Sequence, residues 1–217
     1  MSPLHYIRSK PFSTMALCNI LGDLSLLGFA FKSEGWVSVP KLIGALFTMI
    51  AHIILLAYGD RFTHGTREIG VIPNLIARAQ ARARVLTAHA PDRVQRWLKA
   101  RPIAITFSML ALNGAGLLID ALINIDAASA PVTKFTQIIF GSVIFLGCLT
   151  YASSDLHPTQ RGADRRLRLG AIILTATVVP QIGLALATRS TFLVLALLAF
   201  VGSNLAGFYT KRAPREP

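Results

Sequence analysis

Apolar residues along this chain fall into long runs, and nearly all the charge is collected in the segments between them. Six runs stand out, at about 12–31, 42–59, 103–125, 135–153, 169–187 and 191–209. Each reaches the length of roughly 18 residues or more that a helix needs to cross a hydrocarbon core about 30 Å thick. The pattern predicts an all-α integral membrane protein. Its six transmembrane helices would form three hairpins in one bundle, a single polytopic domain over residues 1–217. The turn Lys32–Lys41 holds the helix breakers Gly35 and Pro40 and an interfacial Trp36, as a hairpin tip would.

The segment 61–101 reads differently. In residues 74–90, Leu75, Ala79, Ala83, Leu86 and Ala90 recur every three or four positions, with Arg78, Arg82 and Arg84 off that stripe. After Pro91, Val94, Trp97 and Leu98 share one side, with Arg93, Arg96 and Lys99 around them. This spacing predicts amphipathic helices lying in the headgroup layer, in contact with lipid or a partner.

Composition agrees with a membrane protein: 53% of residues are hydrophobic and only 15% are charged. The net charge of +12 could suggest nucleic acid. Its placement in loops on one side is instead the positive-inside pattern. Only Lys32, Lys41, Lys134 and Arg189 fall outside when both termini are cytoplasmic, leaving 18 of the 22 basic residues inside. The expected partners are the bilayer and its anionic headgroups, with a second copy or a membrane-complex subunit also open, and no nucleic acid. In a bacterium the location would be the inner membrane. The first run contains Asp23 and no A-x-A-like site follows it, so no cleaved signal is expected. Cys18 and Cys148 lie inside apolar runs without metal or redox spacing, and no cofactor is expected.

Candidate chemistry begins with Asp23, near the middle of the first run. An Asp at a helix centre costs about 2.5–3.5 kcal/mol in a bilayer, so it normally faces protein or water with a partner. Asn19 lies one turn before it. At 1.5 Å rise per residue, Asp23 lies roughly 12 Å and His52 roughly 16 Å below the outer ends of their runs. An Asp23–His52 pair is therefore expected, either to relay a proton or bind a cation, or as a structural hydrogen bond. The third run carries a polar stripe, Asn113, Gly116, Asp120 and Asn124. The fifth places Gln181 beside Pro180, which frees a carbonyl near Ala176 and predicts a kink. The sixth offers small residues suited to close helix packing.

A weak internal repeat joins the first two hairpins. Asn19 and Tyr58 are matched by Asn113 and Tyr151, and each Tyr is soon followed by an Asp, Asp60 or Asp155. The run Pro180–Ser190 resembles the PQ-loop motif of triple-helix-bundle sugar and amino-acid transporters, and Lys32–Ser38 is similar to the segment after that motif. The resemblance implies alternating access with Pro180 and Gln181 at a hinge. It covers about a quarter of the chain; the first run has no Pro-Gln pair, and six runs stand where that family has seven. No GxSxG, HExxH, paired-Asp or P-loop motif is present.

The expected function is a small transporter or channel with Asp23, His52 and Asp120 on the path, assisted by Asn19, Asn113 and Gln181. The alternatives are a non-catalytic subunit or assembly factor docking through the basic segment, and a membrane-embedded lipid-modifying enzyme.

Overall fold

In a computed structural model of the protein, residues 7–8, 10–34, 39–62, 71–123 and 131–210 are described. All regular structure among them is helical. Helices α1 (Pro11–Glu34), α2 (Val39–Tyr58), α5 (Pro102–Ile123) and α6 (Pro131–Ala152) cover the first four apolar runs. The basic segment holds α3 (Val71–Ala88) and α4 (Asp92–Ala100), and the remainder forms α7 (Gln160–Thr175), α8 (Val178–Thr188) and α9 (Thr191–Gly207). Among the described residues one helix, α5, has a stretch long and apolar enough to cross a membrane, Pro102–Ile119. Leu42–Tyr58, Ile138–Ala152 and Thr191–Gly207 are apolar but shorter.

Helix starts follow from local chemistry. Pro11 and Pro102 occupy the first helical positions of α1 and α5, where a missing N–H costs nothing. The next donors are satisfied from a distance. Asp60, in the 3-10 turn Gly59–Phe62, accepts the backbone N–H of Phe12 at 3.0 Å and of Ser13 at 3.2 Å. Asp155 accepts the N–H of Ala104 at 2.9 Å. Each of these helices is thus capped by an Asp at the far end of its own hairpin, a long-range version of the N-cap. Thr159 caps α7 locally by accepting the N–H of Gly162.

The fifth run departs from expectation. The helix there starts at Gln160, well before 169, because the charged residues 161–168 continue it. It then breaks at Ala176 and Thr177, whose N–H groups bond three residues back, to Ile173 and Leu174. Thr177 Oγ1 also donates to the Leu174 carbonyl at 2.6 Å. Pro180 has no N–H to offer the Ala176 carbonyl, so the ladder stops there. Helix α8 ends at Arg189 in the left-handed region (φ 50°), an uncommon place for a side chain larger than Asn.

The long helices pack in a ring in the order α1, α2, α5, α6, α7, α9 and back to α1, closest at α5–α6 and α1–α9. The core gathers at the end where α1 and α5 begin. Phe12, Leu55, Ile103, Phe107, Tyr151 and Leu167 are fully buried there. Phe107 and Tyr151 stack with centroids 4.3 Å apart, and the Tyr151 hydroxyl donates to the Gly207 carbonyl of α9. Toward the other end, Leu21, Leu24, Ile43, Leu46, Ile119 and Ile123 are exposed.

Candidate functional site

Asp23 and His52 meet across the α1–α2 hairpin. His52 Nδ1 lies 3.1 Å from Asp23 Oδ2, and the side chains are only 4% (His52) and 14% (Asp23) exposed. A carboxylate can only accept, so Nδ1–H is the donor and a neutral imidazole keeps its free lone pair on Nε2. That Nε2 is buried and has no hydrogen-bond partner among the described residues. A buried acceptor without a partner is costly and calls for an explanation.

Its surroundings on α2 are polar on one side. Thr48, one turn earlier, is buried and donates to the Ala45 carbonyl. Thr106 of α5 donates to the Ala51 carbonyl at 3.2 Å, next to His52. Asn113 also faces α2, since a Cβ on Gly44 would sit 3.5 Å from its Oδ1. Gly44 is eight residues from His52, or about 12 Å along the helix, so Asn113 is on the same interface but not at the pair. Asn19 is half-buried on α1, one turn from Asp23. Asp120 belongs to α5, but its side chain, like all of Asn124, lies outside the described residues. Gln181 is on α8, which packs on α9, and its buried Oε1 has no partner among the described residues. Pro180 sits partly buried just after the α7–α8 break.

In the basic segment, Leu75 and Leu86 of the expected apolar stripe are 65% and 62% exposed, whereas Ala83 of the same stripe is buried, together with Ile76 and Gln80. The cause is polar. Gln80 donates to Ser13 Oγ at 2.7 Å and to Asp60 Oδ2 at 3.3 Å, and accepts from Lys10 Nζ at 3.4 Å. Ser13 Oγ in turn donates to Asp60. This buried network turns α3 so that Gln80, not Leu75, faces the bundle. Burial pushes the Asp60 carboxyl above its ordinary range, against the opposing pull of the Ser13 and Phe12 hydrogen bonds and of Lys10. Ser13, Gln80 and Lys10 were not singled out by sequence. The available signal was Lys-Pro-Phe-Ser at the start of α1, with an Asp two residues after Tyr58.

Arg84 Nε donates to the Ala57 carbonyl at 3.0 Å, neutralising the C-terminal end of α2. Arg78, Arg82, Arg93, Arg96, Lys99 and Trp97 are exposed, whereas Leu98, expected beside Trp97, is buried. No three His, Cys, Asp or Glu among the described residues are grouped to hold a metal. Compared with known proteins, the chain matches no protein family, no curated sequence and no solved structure.

Proposed function

We propose that this protein is a small multi-pass membrane transporter or channel that moves a small solute or ion along a polar path through its helix ring. The reading takes six spans, with the α7–α8 pair as a broken fifth, and both termini in the cytoplasm. The charge distribution supports that orientation, since 18 of 22 basic residues then lie inside. The exposed leucines and isoleucines of α1, α2 and α5 support lipid contact.

One observation carries the functional part: the buried Asp23–His52 pair, with Nε2 of His52 open. Intramembrane ionisable pairs are expensive and mark ion and proton routes. A purely structural hydrogen bond between α1 and α2 would be met as well by two neutral side chains. Proton movement is accordingly assigned to the pair, and the broken helix α7–α8 with Gln181 supplies a second polar interruption in the ring.

The test uses the full chain in liposomes loaded with a pH-sensitive dye, under a potassium diffusion potential. Wild type should carry protons inward; Asp23→Asn and His52→Gln should each lower the rate at least tenfold, and the double variant no further. Wild-type rates in folded Asp23→Asn and His52→Gln would refute the assignment. Exposed basic and apolar residues on α3 and α4 favour a second reading, a non-catalytic subunit. Stoichiometric co-purification of another membrane protein would decide for it.

A further inference from the structure

Helix α3 has two faces of opposite character. The inner face is fully engaged: Gln80 with Ser13 and Asp60, Arg84 with the Ala57 carbonyl, and the Thr87 hydroxyl with that of Tyr58 at 2.8 Å. The outer face runs Leu75, Arg78, Arg82, Leu86 and His89, at spacings of three, four, four and three. All five are exposed. Helix α4 repeats the pattern around a shallow surface hollow lined by Arg93, Val94, Arg96 and Trp97, with Trp97 59% exposed. Leu98 anchors α4 to the core from behind.

Two observations say what covers this surface. The first is charge: residues 71–101 hold seven Lys and Arg against one acid, Asp92. The second is position. A single residue, Arg101, separates α4 from α5, the helix long and apolar enough to cross a membrane. When α5 spans, α4 is held at the boundary between headgroups and water. That step rests on the membrane reading above.

We propose that the outward face of α3 and α4 binds the anionic surface of the bilayer. Leu75, Leu86, Val94 and Trp97 enter the headgroup–acyl boundary, and Arg78, Arg82, Arg93 and Arg96 meet the lipid phosphates. The long arginine stems let the charge reach the headgroups while the leucines stay apolar. Arg84 takes no part, being held by α2.

The test reconstitutes the full chain, carrying Trp36→Phe so that Trp97 is the one remaining tryptophan of the original two, in mixed phosphatidylcholine–phosphatidylglycerol liposomes. Bromines are placed on the acyl chains of one lipid or the other. Quenching of Trp97 should be several-fold stronger from brominated phosphatidylglycerol. That preference should vanish in high salt, and in the Arg78→Gln, Arg82→Gln, Arg93→Gln, Arg96→Gln variant. Equal quenching by both lipids would overturn the proposal. So would no quenching with free access of iodide, the result expected if the surface faced water or a protein partner. The salt titration needs none of the arginine substitutions, so a folding defect caused by them cannot mask the answer. An alkaline carbonate wash separates the premises. Protein retained in the bilayer but without lipid preference loses only this proposal, whereas protein that washes out loses the spanning of α5 as well.

Discussion

Hairpins α1–α2 and α5–α6 start alike and differ at their centres. Both open on a basic residue and a proline, Lys10–Pro11 and Arg101–Pro102. Both are capped by an aspartate that follows a helix-ending tyrosine, Asp60 after Tyr58 and Asp155 after Tyr151. Counted twelve residues from the prolines, Asp23 corresponds to Gly114; counted six back from the tyrosines, His52 corresponds to Phe145. These partners meet in each hairpin. In the first, a carboxylate meets an imidazole at 3.1 Å. In the second, a Cβ on Gly114 would lie 2.7 Å from the Phe145 backbone nitrogen. One position in a shared frame carries a carboxylate–imidazole pair in one hairpin and bare backbone contact in the other.

The largest expected effect comes from breaking the second hairpin. Gly114→Val drives a branched side chain into the Phe145 nitrogen and the Gly141 carbonyl, which cannot withdraw without moving α6. Overpacking of this kind costs roughly 3 kcal/mol, at the upper end of such changes. Gly116, two residues on, has open space where its Cβ would be, so Gly116→Val should cost well under half as much. Thermal unfolding of both variants in the same detergent measures the difference. Equal losses would mean that α5 and α6 do not meet through Gly114.

Next come the caps. Asp60→Ala and Asp155→Ala each leave helix N–H groups without acceptors, at a cost of about 1–2 kcal/mol. Asp60→Ala should reach the upper end of that range, since Asp60 accepts from two backbone donors as well as Ser13 and Gln80. Denaturation midpoints of the two variants rank them. A larger loss at Asp155 would reverse the comparison.

Sequence reading reached the Asp23–His52 contact because depth along an ideal helix depends only on rise per residue, and both helices are regular there. It also reached the break near Ala176, where proline chemistry is local. Long-range polar bonds were less legible. Apolar spacing picks out the α3 stripe through Leu75 and Leu86 but not the face that meets the bundle. That face is set by Gln80, whose partners Ser13 and Asp60 lie 67 and 20 residues away. The repeat was seen through Asn19 and Asn113, which are eight and eleven residues from their prolines and so do not correspond. The prolines and tyrosines set the register, and the bonding of the capping aspartates to α1 and α5 requires the folded hairpin. The charged start of α7 was missed for a simpler reason: a helix can continue past the point where its apolar face ends.

Asp60 also provides a smaller, pH-dependent effect that separates the two caps. Burial raises its carboxyl above the ordinary value, so the folded protein holds that proton more tightly than the unfolded chain does. The contribution is fully present below the ordinary Asp pKa of about 3.9 and is lost as pH rises through the raised value. Wild type should therefore lose stability relative to Asp60→Asn as pH climbs from acid toward neutral. Melting temperatures of the two proteins across that interval give the sign, and a gap that widens in favour of wild type would reverse it.

The smallest stability effect is expected at the pair itself. Asp23→Asn keeps a side chain that can still accept from His52 Nδ1, so the hairpin should lose less than about 1 kcal/mol, near the worth of an ordinary hydrogen bond. Under the proposed function it nevertheless removes the carboxylate from the proton path, and proton movement should fall at least tenfold. A residue that holds the fold together moves stability and flux together, as Gly114 would. Asp23 should move flux alone. Melting and dye-monitored flux, measured on the same preparation of Asp23→Asn, test that separation. A drop in stability comparable to Gly114→Val, with flux falling only in proportion, would place both hairpins in one structural class and leave the open Nε2 of His52 without a task.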